Sequence, residues 1–230
     1  MHTPLKDKRV KVSDYRYERK FFVEKLSAHE VKAIIKIHPF QFSEIYNERN
    51  INNIYFDSSN LDCLNDNIIG LDKRMKVRVR WYGELYGEKQ KPILELKLRN
   101  GALGKKHSMP VDPFKLDIGD SGKFFSSKLK YYGRKLNVDL SDFNATLINQ
   151  YKRSYFLSYD KKIRATIDSY QLFCKLKNNV VPTFIKDSNS VILELKYANN
   201  MDVVGRAASN LLPFRLSKSS KYVRGLTLNT

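Results

Sequence analysis

The sequence predicts an α+β fold carried by a mostly antiparallel sheet. Several segments alternate apolar and polar residues with period two, as half-buried strands do, and helical stretches with capping and stop signals lie between them. The ten glycines and seven prolines are scattered as punctuation, so the chain shows no linker, repeat or low-complexity tract.

In chain order, the first alternating segment is Tyr15 to Val23, a strand. Ser27 to Ile37 is the clearest helix: Ser27 and Glu30 form a Ser-x-x-Glu capping box, Val31, Ile34 and Ile35 give an apolar face, and Pro39 follows the end. A weaker strand at Asn53 to Asp57 precedes a helix at Ser59 to Ile68. Lys76 to Trp81 and Ile93 to Arg99 are strands, with a weaker one at Lys105 to Val111 and a helix at Phe124 to Leu136. Strands at Tyr151 to Ser158, Ile163 to Asp168 and Val191 to Tyr197 follow. Asp202 to Leu212 is a helix stopped by Pro213, and a short helix is expected near Ser217 to Arg224. Residues 1–14 read as a basic leader and 15–230 as one domain.

The 230 residues carry 42 Lys and Arg against 24 Asp and Glu, a formal charge of +18, so the expected partner is anionic. Nucleic acid, an acidic membrane surface and a phosphorylated small molecule all meet that condition. The two cysteines, Cys63 and Cys174, and the four histidines show no metal-ligand spacing, which leaves a zinc site or disulfide framework without support. A reducing, cytoplasmic setting is expected. No apolar run approaches the roughly 18 residues that a membrane span requires, and the N-terminus has no apolar signal region.

Strand parity organises the charge. Lys76, Arg78 and Arg80 share one strand face, with Val77, Val79 and Trp81 on the other. Glu95 and Lys97, Glu194 and Lys196, Glu18 and Lys20, and Arg164 and Asp168 likewise share faces. One reading is a solvated sheet face laced with cross-strand ion pairs. The other is a barrel with its charged faces inward, a tunnel that needs an anion, and Arg is the side chain suited to bidentate phosphate recognition. A divalent ion on Glu194, Glu95 or Glu18 would then bridge phosphate oxygens.

The segments Tyr15-Arg16-Tyr17-Glu18-Arg19-Lys20-Phe21, Ile54-Tyr55-Phe56-Asp57, Lys76-Val77-Arg78-Val79-Arg80, Glu95-Leu96-Lys97, Tyr151-Lys152-Arg153, Arg164 to Asp168, Leu193-Glu194-Leu195-Lys196-Tyr197 and Ser217-Lys218-Ser219-Ser220-Lys221-Tyr222 occur in that order. In these the chain resembles the catalytic domain of the vacuolar transporter chaperone (VTC) polyphosphate polymerases, a branch of the triphosphate tunnel metalloenzymes. The resemblance implies an eight-stranded antiparallel β-barrel, flanked by helices, that takes a nucleoside triphosphate and passes a growing polyphosphate through its centre with Mn²⁺ or Mg²⁺. It implies phosphate contacts at Lys20, Arg78, Arg80, Lys97, Arg153, Arg164, Lys196, Lys218 and Lys221, and at either Lys105 or Lys106. Lys20, Arg78, Arg80, Arg164 and Lys196 are the expected catalytic cations, Ser220 joins the phosphate contacts, and Glu194 matches the metal-binding glutamate. Most aromatic residues are expected in the core, and Tyr151 is the one expected at the ligand.

Hydrolytic relatives begin with Glu-x-Glu-x-Lys, whereas Arg16 stands at the first glutamate position here, which favours the polymerase branch over a triphosphatase or polyphosphate hydrolase. Eukaryotic members add a phosphate-sensing domain and membrane spans, so export through a membrane partner is not implied for this chain alone. A non-catalytic polyphosphate or nucleic-acid binder also fits the charge. No RNA-binding or helix-turn-helix signature supports specific nucleic-acid recognition.

Overall fold

The computed structural model describes residues 16–100, 103–120, 122–176 and 183–228. The basic leader and Tyr15 lie outside them. The strands are β1 (Arg16–Val23), β2 (Ser43–Asp57), β3 (Arg74–Tyr82), β4 (Gly87–Lys89), β5 (Ile93–Asn100), β6 (Leu103–Pro110), β7 (Phe114–Leu116), β8 (Asn144–Leu157), β9 (Arg164–Lys175), β10 (Phe184–Asp187) and β11 (Val191–Ala198). The helices are α1 (Ala28–Lys36), α2 (Asp62–Ile69), α3 (Ser126–Leu136), α4 (Asp202–Asn210) and α5 (Lys221–Thr227).

Eight strands pair in the order β1-β11-β9-β8-β2-β3-β5-β6, every neighbour antiparallel, with β10 added beside β9. The sheet curls until its two ends approach. Lys97 on β5 meets Glu18 on the edge strand β1 at 3.0 Å, while no backbone ladder joins β1 to β6 among the described residues. The expected eight-stranded barrel is thus present as a curled antiparallel half-barrel, open between β1 and β6 among the described residues and bridged there by this ion pair. Its apolar face points outward. Val77, Val79 and Trp81 are buried there with Ile54, Leu94, Leu96 and Ile148 beneath α2, α3 and the small β4-β7 sheet. Phe21, Ile167, Leu193 and Leu195 are buried in a second core with Val31 and Ile35 of α1 and Ala208 of α4. The hydrophobic driving force thus acts between sheet and helices, which leaves the concave face to polar groups.

The capping box of α1 is formed: Ser27 N–H donates to Glu30 Oε2 at 2.7 Å, and Glu30 N–H donates to Ser27 Oγ. Two other helices start later than their sequences suggest. α2 begins at Asp62 because its first free N–H groups are met from β2, where buried Asp57 accepts from Cys63 N–H at 2.8 Å and Leu64 N–H at 2.9 Å. α5 begins at Lys221 because Leu216 and Ser217 are drawn to the edge of β1, Ser217 N–H donating to Lys20 O at 2.8 Å. Ser220 caps α5, its Oγ accepting from Val223 N–H.

α5 blocks one end of the curl. Tyr222 stacks on Tyr55 at 5.1 Å, and its hydroxyl donates to Asp57 Oδ2. A Cβ added at Gly225 would come within 2.6 Å of Leu147 and Phe173, so only glycine permits this approach.

Candidate functional site

The concave face collects the charged halves of the alternating strands. On β3, Arg78 Nε donates to Glu95 Oε2 at 2.7 Å and its Nη1 to the Tyr55 hydroxyl at 3.2 Å. Arg80 Nε donates to Asn53 Oδ1 at 3.1 Å and its Nη2 to the Tyr151 hydroxyl at 3.3 Å. Lys76 Nζ reaches Ser220 Oγ at 2.9 Å, at the head of α5. Lys106 completes the shell of Glu95 by donating to Oε1. Register separates the two β6 lysines: Lys106 pairs with Lys97 on the inner face, and Lys105 pairs with Leu98 on the outer.

Across the seam, Lys20 Nζ lies 3.6 Å from Glu194 Oε1, and Lys196 Nζ lies 3.3 Å from Glu194 Oε2 and 3.7 Å from Glu18 Oε1. Between these walls stands buried Asp168, which accepts a bidentate pair from Arg153 at 2.5 and 2.7 Å and a third bond from Lys221 of α5 at 2.5 Å. The Tyr151 ring lies under both cations, 5.2 Å from the Arg153 guanidinium carbon and 4.5 Å from Lys221 Nζ. Arg164, the cross-strand partner of Lys196, and Lys218, just before α5, are exposed and have no ion pair among the described residues. The expected residues therefore gather on one surface, except Lys105 outside and Lys218 at its border.

The cations outnumber the carboxylates. Lys20, Lys76, Arg78, Arg80, Lys97, Lys106, Arg153, Arg164, Lys196 and Lys221 face Glu18, Glu95, Glu194 and Asp168. Burial pushes the Lys76 ammonium down to about 7, and Lys20, Lys97, Arg74 and Arg78 add to the effect. Burial would raise the carboxyl of Glu95, but Arg78, Arg80 and Lys106 outweigh it and hold the group at about 2. Asp168 is likewise held at about 2, burial being overcome by Arg153 and Lys221. For Glu194, Lys196 and Lys20 prevail over burial and lower its carboxyl. The carboxylates stay ionised, and the lysine with no carboxylate partner loses its charge most readily.

Asp168 was legible only as a residue sharing a face with Arg164, and its grip on Arg153 and Lys221 had no sequence signal of its own. Asn53 and Tyr55 could have been found by extending the β2 parity opposite Arg80 and Arg78.

The carboxylates differ in fitness for a divalent ion. Glu95 has both oxygens taken by Arg78 and Lys106. Glu18 receives Lys97 and Lys196. Glu194 pairs at longer range and stands opposite Thr166, whose hydroxyl oxygen is buried without a hydrogen-bond partner. A hard carboxylate oxygen beside an orphaned hydroxyl fits Mg²⁺ or Mn²⁺, which take one or two protein oxygens and complete their shell with phosphate and water. Among the described residues no three acidic, His or Cys side chains cluster as a self-sufficient metal cage.

The sequence profile of the VTC domain matches residues 15–229, nearly the whole chain. The chain belongs to the VTC domain family. Among solved structures, this VTC domain is similar to the PH1819 protein of Pyrococcus horikoshii OT3, with a TM-score of 0.49, 12% identity and coverage of 91% of this chain and 95% of that one. It is also similar to HpAC1 of Hippeastrum, described as revealing a dominant triphosphatase activity, with a TM-score of 0.48, 15% identity and coverage of 92% and 96%. No curated protein sequence matches the chain. Among its described residues, no helix is long and apolar enough to cross a membrane.

Proposed function

We propose that this VTC domain is a polyphosphate polymerase that transfers the γ-phosphate of a nucleoside triphosphate to the end of a growing polyphosphate chain. The supporting observation is the excess of inward cations whose fixed carboxylates are already paired, so that a chain of phosphates is the ligand whose charge and length match the surface. Nucleic acid fits less well, because the cations line the concave face of a curled sheet and are not spread on an open patch.

In the transfer, a terminal phosphate oxygen of the acceptor forms a bond to the γ-phosphorus. The bond from that phosphorus to the β,γ-bridging oxygen breaks, and the electron pair leaves with the nucleoside diphosphate. No side chain has to form a covalent intermediate. Arg78, Arg80 and Arg153 are held by Glu95, Asn53 and Asp168 and can hold phosphate oxygens without reorganising. Lys20, Lys97, Lys106 and Lys196 neutralise charge on the opposite wall, Arg164 and Lys218 act at its borders, and Lys221, Ser220 and Tyr151 fix the α5 end. A divalent ion on Glu194, assisted by Thr166, would offset charge on the transferring group. The setting is the cytoplasm, where Cys63 and Cys174 remain buried thiols.

The test is product size after incubation of the full chain with ATP and Mn²⁺ or Mg²⁺. Long acid-labile chains with stoichiometric ADP are expected. Orthophosphate alone would overturn the polymerase reading in favour of hydrolysis on the same surface.

A further inference from the structure

The inner faces of β3 and β8 run on past the phosphate-binding cations to the mouth opposite α5. On β3 the inner positions run from Lys76, against Ser220, through Arg78 and Arg80 to Tyr82, and on β8 from Leu147, under Gly225, through Tyr151 and Arg153 to Tyr155. Tyr82 and Tyr155 are thus the next inward positions beyond Arg80 and Arg153. Arg49, the cross-strand partner of Arg153, lies among them. Its guanidinium carbon is 5.0 Å from the Tyr46 ring, 5.9 Å from Tyr82 and 5.8 Å from Tyr155, while Tyr46 and Tyr155 meet edge to face at 5.7 Å. Arg49 has no ion pair among the described residues, and Tyr46 and Tyr82 are 49% and 50% exposed.

Exposed tyrosines around an unpaired guanidinium offer flat π faces and a planar cation, the combination on which nucleobases stack. Two strand residues span about 7 Å, so a planar group on Tyr82 is one sugar's length from a phosphate on Arg80. We propose that Tyr46, Tyr82, Tyr155 and Arg49 form a base-stacking subsite that receives the nucleoside end of the triphosphate and favours purines by stacking area. This deepens the proposed function and rests on it. The subsite orients the nucleotide with its base at the mouth and its γ-phosphate toward α5, and a polyphosphate that carries no base does not use it.

The test is calorimetric binding of ATP and, separately, inorganic tripolyphosphate to the full chain in metal-free buffer, for the wild type, Tyr82→Ala and Tyr82→Phe. Tyr82→Ala is expected to weaken ATP about tenfold and to leave tripolyphosphate unchanged, and Tyr82→Phe should retain ATP affinity. Equal loss for both ligands, or no loss for either, overturns the subsite. A wild-type protein that binds tripolyphosphate but not ATP refutes the subsite alone. One that binds neither refutes the proposed function, and the subsite falls with it.

Discussion

Replacing Asp168 with Asn separates stability from ligand affinity, because this carboxylate serves the fold while opposing a bound anion. Its side chain is 1% exposed and accepts from Arg153 twice and from Lys221 once. The carboxyl is held at about 2 against an ordinary 3.8, burial being outweighed by those two cations. That difference corresponds to about 2 kcal/mol of stability at neutral pH. Because the folded value is depressed, the contribution is full above 3.8 and is lost as pH falls through about 2. Asn also leaves two cations short of a counter-charge, and breaking buried pairs typically costs about 3–5 kcal/mol. Since the amide oxygen still accepts one hydrogen bond, a net loss of about 3 kcal/mol is expected. The freed Arg153 and Lys221 should bind tripolyphosphate about tenfold more tightly. Urea unfolding with and without tripolyphosphate reads both effects through linkage. Unchanged stability, or equal stabilisation of variant and wild type by the anion, would refute the reasoning.

Arg78→Ala should keep the fold while weakening tripolyphosphate by about tenfold or more, since it removes a charge-assisted donor from the inner face; calorimetry on the folded variant decides. Glu194→Gln should still bind nucleotide through Arg78, Arg80 and Lys20 yet lose polymer formation across a Mn²⁺ titration, and wild-type turnover with wild-type metal dependence would sink the metal role. Lys76, pushed down to about 7 by burial and by Lys20 and Lys97, should regain its proton when phosphates arrive. Binding at pH 8.5 should then take up close to one proton, visible as a dependence of binding enthalpy on buffer ionisation heat that disappears in Lys76→Met. Without ligand, the unfolded chain protonates this lysine more readily than the folded one between pH 7 and 10.5, so Lys76 makes stability rise with pH across that window.

The strands of the curled sheet were legible because period two separates an outward apolar set from an inward charged set, as with Val77, Val79 and Trp81 against Lys76, Arg78 and Arg80. The first half of β2 escaped because it is exposed along most of its length and carries no alternation. The short strands β4, β7 and β10 are too brief to establish a period. The start of α2 is set by the carboxylate of Asp57 at the end of β2, six and seven residues before the N–H groups it accepts from, a longer reach than the two or three residues of an ordinary N-cap. Within the site, parity identified which charges share a wall but not which cation each carboxylate holds. Pairing Asp168 with Lys221 requires α5 to fold back across the sheet, a contact 53 residues apart in sequence. The cluster around Arg49 was hidden because its tyrosines come from three strands and two bulges interrupt the ladder beside Arg49 and Tyr46.

The join between β1 and β5 is made by side chains and not by a backbone ladder. A barrel laced all round by backbone ladders has its bore fixed by strand number and stagger. Here the circumference is fastened at one meridian by Lys97 and Glu18, whose side chains are 48% and 31% exposed. Such a pair is weak and screened by salt. The row of backbone groups on β1 is partly covered by Leu216 and Ser217, which guards that edge against pairing with another chain without locking it to β6. Under the proposed function, a bound polyanion would compete with Glu18 for the Lys97 ammonium, so the one ion pair that bridges β5 and β1 among the described residues is also one that the ligand's charge would weaken.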